Sequence, residues 1–263
     1  MNTSTLCIAA IQAALEAGEL LRRGFGTDFS IESKPEGRQN LVTEYDKAAE
    51  ELILKKLKLA APSSNFLAEE SGASPGPKDS VLWIIDPLDG TVNFAHQLPF
   101  FSVSIAAVVD GVVVAGVVYQ PMLKELFVAE KGKGSTCNGK RLQVTTNTSY
   151  DRALFSTGFP YNAEDNPLGC IDALSRALNS GFHIRRVGSA ALDLSYVAAG
   201  RFDAYWEVSL QPWDMAAGLL IVQEAGGKVT NYFDQSIDVS EKSSLLATNG
   251  YFHPKILEII CSK

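Results

Sequence analysis

The stretch Trp83 to Phe94, WIIDPLDGTVNF, sets two carboxylates, Asp86 and Asp89, three residues apart directly after an apolar run. That run, Val81 to Ile85, is short, β-branched and aromatic, as a strand buried on both faces would be. Pro87 lacks a backbone donor and is read as the end of the strand, while Gly90 permits torsions that other residues resist. The expected result is a loop that aims Asp86, Asp89 and the Leu88 carbonyl into one small volume. Hard divalent cations want such an oxygen-only shell, and magnesium suits it when waters and phosphate oxygens fill the remaining positions. The competing reading is an ordinary Asp-Pro and Asp-Gly turn, because Asp, Pro and Gly dominate turns for local reasons. Working outward, more acids weigh against it: Glu69 and Glu70 follow the apolar Phe66 to Ala68, and Asp214 opens a predicted helix. Acids gathered beside strand ends are costly unless paired or metal-bound.

At 263 residues, with 46% hydrophobic and 20% charged residues, the chain has the makings of a large core. It is expected to form one domain in two packed halves, about 1–150 and 151–263. The longest apolar stretch, Val103 to Tyr119, is broken by Asp110-Gly111, and the N-terminus lacks a basic leader. The expectation is a cytoplasmic protein with no membrane association. Cys7, Cys137, Cys170 and Cys261 are scattered, which argues against both a disulfide framework and structural zinc. His96, His183 and His253 are far apart and are given no catalytic role. A net charge of −7 disfavours a broad nucleic-acid surface, although Lys131, Lys133, Lys140 and Arg141 form a local basic patch.

Residues 4–24 are predicted as an amphipathic helix, and Thr43 is predicted to cap a second helix reaching about Leu59. Strands are expected at Phe101–Val109, Val112–Tyr119, Glu125–Glu130 and Leu142–Thr145. Asp110-Gly111 between two apolar runs is a strong hairpin signal, so this half contains antiparallel pairing. Helices are expected at Asn166–Asn179, Ser189–Ala199 and Pro212–Ala225. Layered α/β architecture, with two sheets between helices, fits this order. Gly134 to Lys140 matches GxxxxGK, but Arg141 stands where a phosphate-binding loop needs Ser or Thr. Asn138-Gly139 is better read as a hairpin turn.

The segment DPLDGTVNF at 86–94, with AEES at 68–71 and PWDMAAG at 212–218, resembles the inositol monophosphatase family of magnesium-dependent, lithium-sensitive phosphatases. The likeness continues through NLVTEYD at 40–46, GKGSTCNGKRLQV at 132–144 and VGSAALDLSYVAAGRFDAYWE at 187–207, and so spans nearly the whole chain. It implies the alternating helix and sheet layers of the sugar phosphatase fold, with mixed and antiparallel sheets. It also implies two or three Mg2+ ions held by Glu69, Asp86, Asp89, Asp214 and the Leu88 carbonyl, with Asp86 bridging. Thr91 and Asp46 resemble the pair that orients and activates the attacking water, although from local sequence Asp46 reads equally well as a helix cap. Gly90 and Thr91 are expected to donate backbone N–H groups to phosphate.

Glu207, with Gly188, Ser189 and Ala190, matches the positions that face the inositol ring. A carboxylate accepting from two neighbouring hydroxyls is a sensible polyol reader. From residue type alone, the less favoured alternative for Glu207 is a solvent-facing strand end. Glu70 is expected to support a ligand from behind, and Lys34 to belong to a flap that brings positive charge, or to be a plain exposed loop lysine. The resemblance further implies a homodimer and a small phosphate monoester as substrate. The rival substrates are fructose 1,6-bisphosphate, 3′-phosphoadenosine 5′-phosphate, histidinol phosphate and NADP. A rival of another class is an interaction protein of transcription and ribosomal RNA complexes built on the same scaffold, which the charge balance does not favour.

Overall fold

The two apolar runs flanking residues 110 and 111 become neighbouring strands in the middle of the larger of two sheets. The computed structural model describes residues 2–33, 40–77 and 80–262. In chain order its first part comprises α1 (Thr3–Gly24), β1 (Ile31–Ser33), β2 (Leu41–Thr43), α2 (Glu44–Ala60), β3 (Asn65–Ala68), β4 (Gly72–Ser74) and β5 (Leu82–Asp89). Then come α3 (Thr91–Ala95), β6 (Ser102–Val109), β7 (Val112–Gln120), β8 (Glu125–Glu130), β9 (Gly134–Cys137) and β10 (Lys140–Arg141). The second part comprises β11 (Leu154–Thr157), α4 (Cys170–Asn179), β12 (His183–Arg185), α5 (Ala190–Ala198), β13 (Ala204–Leu210), α6 (Pro212–Glu224), β14 (Lys228–Thr230), β15 (Ser243–Thr248) and α7 (His253–Cys261).

Apart from the β1–β2 ribbon, the strands form an eight-stranded sheet in the order β10-β9-β8-β7-β6-β5-β3-β4 and a five-stranded sheet in the order β12-β11-β13-β15-β14. Both are mixed: β3 runs parallel to β5, and β11 runs parallel to β12 and β13, while the other pairs are antiparallel. Helices α1 and α2 cover one face of the large sheet, α5 and α6 lie between the sheets, and α4 and α7 cover the far face of the small one. The alternation along β5 shows why its sequence is apolar throughout. Trp83 and Ile85 enter the core under α1 and α2, while Ile84 enters the core under α5 and α6. Helix α1 is long and apolar enough to span a membrane by composition, yet its Ala10, Ala13, Ala14, Ala17 and Leu21 are a buried stripe of this core.

Three sequence expectations need correction. Pro87 does not end β5: the strand continues to Asp89 through a bulge, with Asp86 opposite Ser104 and Asp89 opposite Ser102. Three residues on β5 span what two span on β6, and a proline without an N–H is tolerated where the ladder is interrupted. Leu142 to Thr145 is extended but belongs to neither sheet. Leu142 N–H donates to Ser135 O at 2.9 Å and Val144 N–H to Ala225 O at 3.1 Å, so the apolar alternation marks chain extension without ladder pairing. Residues 166–169 are not part of α4, which begins at Cys170. Asn166 and Leu168 take left-handed torsions (φ 49° and 50°), and two short 3-10 turns precede the helix. The decoy at Gly134 to Lys140 is a hairpin, β9 turning into β10 at Asn138-Gly139.

Candidate functional site

Strands β3 and β5 run parallel, with Ala68 beside Ile85. The next residue on each is an acid, so Glu69 and Asp86 leave the carboxyl ends of neighbouring strands together, the place where open α/β sheets bind ligands. The β5 bulge then re-aims the chain and brings Asp89 round after Asp86. Leu88 N–H donates to Asp86 Oδ1 at 2.9 Å, which fixes the bulge from inside. Asp214 comes from the other half. It sits in the first turn of α6, where its Oδ2 accepts from Gln211 N–H at 2.7 Å, and α6 packs against β5, β6 and β7.

Electrostatically the four acids form one unit. Burial, then the charges of Glu69, Asp89 and Asp214, push the Asp86 carboxyl well above the usual carboxylate range. Burial, then Asp89 and Glu69, does the same to Asp214. Asp89 is pushed up to about 6, mainly by burial, against the hydrogen bonds it receives from Ser189 and Ala191. The charges acting most strongly on Asp86 are those of other acids. Among the described residues no three of these side chains already stand in coordination geometry. The donor set is nonetheless the right chemistry for a hard divalent ion: oxygen only, buried, and repelling itself until a cation arrives.

Beside this unit lies a polar relay. Thr43 caps α2, and Asp46 completes the box with Oδ2, which accepts from Thr43 N–H at 2.7 Å and Thr43 Oγ1 at 2.5 Å. The other oxygen, Oδ1, accepts from Thr91 Oγ1 at 2.9 Å. Capping and contact with Thr91 are therefore not alternatives, because each uses a different oxygen. Burial raises the Asp46 carboxyl to about 6, against the hydrogen bonds from Thr43 and Thr91. Thr91 Oγ1 also lies 3.0 Å from Leu88 O, so one hydroxyl proton has two acceptors. Thr91 opens α3, whose Phe94 is fully buried among Phe25, Phe29, Tyr45 and Phe101 with ring centroids 5.1–5.9 Å away. That burial contributes about 2–3 kcal/mol to holding a five-residue helix that has little stability of its own.

Gly90 joins the two halves. It has φ 99°, and a Cβ there would press on Phe100 O at 2.9 Å and Gly188 O at 3.2 Å, so only glycine lets the second half approach. Asn93 Nδ2 adds bonds to Phe100 O at 2.7 Å and Val187 O at 2.9 Å. Behind Gly188, Ser189 Oγ donates to Asp89 Oδ2 at 2.6 Å and Ala191 N–H to the same oxygen at 2.7 Å. Asp89 therefore caps α5 from outside, and Ala190 begins that helix.

At the far end Glu207 is half-buried and not simply solvent-facing, and desolvation raises its carboxyl to about 7. Tyr205 Oη donates to Glu207 Oε2 at 2.5 Å, and a Cβ on Gly158 would collide with that same oxygen. That Cβ would also meet Oε1, at 2.7 Å, so Gly158 makes room for the whole carboxylate. Glu70 N–H donates to Glu50 Oε2 at 2.8 Å, so α2 holds the turn after β3. Lys34 lies outside the described residues. Sequence reading missed Glu50, Asn93, Gly158, Asp193 and Tyr205. Two of these carried a spacing signal: Glu50 lies one helical turn beyond Asp46, and Tyr205 two residues before Glu207 on the same strand face.

The inositol monophosphatase family model matches residues 2–263. The chain is 42% identical to the inositol-1-monophosphatase of Caulobacter vibrioides over 250 residues, covering 94% of this chain and 98% of that one. It is 44% identical to the Nus factor SuhB of Escherichia coli K12 over 223 residues, covering 85% and 84%. Among solved structures, the extragenic suppressor protein suhB from Bartonella henselae superposes with a TM-score of 0.89 at 39% identity over 98% of each chain. An IMPase/NADP phosphatase complexed with Mg2+ and phosphate superposes at 0.82 with 26% identity, over 94% of this chain and 92% of that one. Match along the whole chain, together with a layered mixed-sheet fold shared with these structures, shows that this chain belongs to the inositol monophosphatase family.

Proposed function

We propose that this protein is a magnesium-dependent phosphatase that hydrolyses inositol monophosphate to inositol and phosphate. The observation that carries the reading is Asp86, buried at the end of β5 with Glu69, Asp89 and Asp214 as its strongest charged neighbours. Glu69, Asp86, Asp89, Asp214 and the Leu88 carbonyl would hold two or three Mg2+ ions. When bound, these ions would supply positive charge against the ester and its leaving oxygen and lower the pKa of water.

The chain's own residues do the rest. Asp46, fixed by Thr43, accepts the Thr91 proton and leaves a Thr91 lone pair to accept from the attacking water. A water held in that way turns a lone pair toward phosphorus, in line with the leaving oxygen. The Gly90 and Thr91 amides, at the turn into α3, face the phosphate. Gly188, Ser189 and Ala190 form the wall between phosphate and ring, and Glu207 Oε1 accepts from a ring hydroxyl. The burial that raises the carboxyls of Asp86, Asp89 and Asp214 excludes water from the same place. We also propose a homodimer working in the cytoplasm.

Phosphate release from inositol, sugar, nucleotide and histidinol phosphates, with and without Mg2+ and with lithium titrated in, tests this reading. Magnesium-dependent, lithium-sensitive turnover highest on inositol 1-phosphate is expected. Highest kcat/KM on fructose 1,6-bisphosphate, 3′-phosphoadenosine 5′-phosphate, histidinol phosphate or NADP would replace the substrate and keep the chemistry. The relatives named Nus factor favour a second reading, an interaction protein of transcription complexes on this scaffold. Partners recovered equally by the wild type and by an Asp214→Asn variant, with no turnover of any ester, would establish that reading instead.

A further inference from the structure

Helix α5 carries an acid that the chemistry above does not use. Asp193 lies one turn after Ser189, its N–H donating to Ser189 O at 2.9 Å, and is 1% exposed. It descends on the face of the small sheet that bears Glu207. Ser156 on β11 is the ladder partner of Tyr205 on β13, and Glu207 follows two residues later on the same face. Ser156 and Tyr205 are both fully buried.

Asp193 Oδ1 and Ser156 Oγ are buried without a hydrogen-bond partner among the described residues. Buried polar atoms are nearly always satisfied, so two orphans facing each other need an explanation. Ser156 is the polar group that most favours the charge on Asp193, yet the two atoms miss good bonding geometry. Burial pushes the Asp193 carboxyl well above the usual range, and the charges of Glu207 and Asp89 push it further, against Arg186. A neutral carboxyl beside Ser156, Tyr205 and Glu207 can donate as well as accept.

We propose that Asp193 is a positioning residue for substrate selection: with Ser156 it forms the buried polar bed that keeps Tyr205 on Glu207 Oε2 and so aims Oε1 at a substrate hydroxyl. Because α5 also receives Asp89 at its N-terminus, one rigid helix sets the spacing between the acid cluster and the hydroxyl reader. This inference rests on the polyol phosphate reading above.

The test compares inositol 1-phosphate with p-nitrophenyl phosphate, which offers no hydroxyls, for Asp193→Ala, Asp193→Asn and Ser156→Ala. In Asp193→Ala, KM for inositol 1-phosphate should rise about tenfold while kcat/KM for p-nitrophenyl phosphate changes less than twofold. Asp193→Asn, an isostere of the neutral acid, should restore KM to within about threefold of wild type. A crystal structure of the alanine variant should show Glu207 released from Tyr205. Equal losses on both esters, no rescue by asparagine, or an intact Tyr205–Glu207 bond in the alanine variant would overturn the proposal. If Asp193→Ala does not fold, Ser156→Ala is read by the same criteria. Wild-type protein with no turnover of inositol 1-phosphate would sink the substrate reading, and the Tyr205–Glu207 bond would then decide this one alone.

Discussion

The two ends of the site both place acids out of open solvent, Asp86 almost fully and Glu207 partly, and hold them in different ways. On the large-sheet side, Asp86 is surrounded by Glu69, Asp89 and Asp214, and its strongest charged neighbours repel it. On the small-sheet side, Glu207 receives a hydrogen bond from a tyrosine hydroxyl and packs against Gly158, while among the charges Asp89 repels it more than Arg186 attracts it. The first arrangement stays unfavourable until a cation binds. The second is held by a hydrogen bond from the protein itself. Burial and repulsion therefore do not separate the two ends: what distinguishes Glu207 from Asp86 is the hydroxyl donor that Tyr205 supplies.

The largest expected effect comes from breaking the repulsive end. Asp86→Asn should lower magnesium-dependent turnover by several kcal/mol of barrier, roughly 10³-fold. At the same time it should raise the melting temperature of metal-free protein, because one buried like charge is gone. Phosphate release and thermal melts of the same preparation check both. A variant equally active and no more stable would remove Asp86 from the proposed ligand set.

The next effect sharpens the contrast by pH. The folded carboxyls of Asp46 and Asp89 stand near 6, above the ordinary 3.8. In metal-free protein these groups bind more protons folded than unfolded, so their contribution is most favourable below about pH 4 and is lost as pH rises through about 6. For an independent group of this kind the loss is on the order of 3 kcal/mol. Magnesium must displace the Asp89 proton at pH 5 but meets an ionised Asp89 at pH 8. The rise in melting temperature on adding Mg2+ should therefore be small at pH 5 and grow toward pH 8, while His253, with its folded pKa near 4, cancels in the difference. A magnesium-induced shift that is flat with pH would place the ion elsewhere.

At the hydroxyl-reading end the effect should be smaller and selective. Glu207→Gln should raise KM for inositol 1-phosphate about tenfold, the size of one charge-assisted hydrogen bond, with little change on p-nitrophenyl phosphate. Gly158→Ala should copy this pattern by forcing Glu207 off its seat. A fall of equal size on both esters would make this end structural. Smallest of all, Thr43→Ala removes a helix cap and one of two donors to Asp46 Oδ2, the backbone N–H remaining, which predicts about 1 kcal/mol of lost stability and a kcat reduced only a few-fold, because the Asp46–Thr91 bond remains. Chemical denaturation and steady-state kinetics check this.

Much of the metal end was legible because its signals are local. A buried strand, two acids three residues apart and a glycine turn lie within twelve residues, and the period of the apolar run identified β5. The bulge was not legible, since Pro87 gives the same local signal whether a strand ends or skips one ladder position. The segment 142–145 misled for a related reason: alternation reports an extended backbone, and pairing depends on whether another strand edge is free. Residues 166–169 misled because left-handed Asn166 and Leu168 fall inside a helical period.

By itself the sequence determined the main helices, the central strands of the large sheet, the hairpin turns and the family motifs, because these rest on periods of two and 3.6, on turn torsions and on short spacings within one segment. Only the tertiary structure decided that Asp46 divides its two oxygens between a cap and Thr91, that Tyr205 donates to one oxygen of Glu207 beside Gly158, and that Asp193 and Ser156 are buried with unpartnered oxygens among the described residues. Those facts depend on helices from one part of the chain packing on strands from another, across separations of 45 residues for Asp46 and Thr91 and about 100 for Asp89 and Ser189. Local propensity carries no information about which atom of a side chain faces a neighbour that far along the chain.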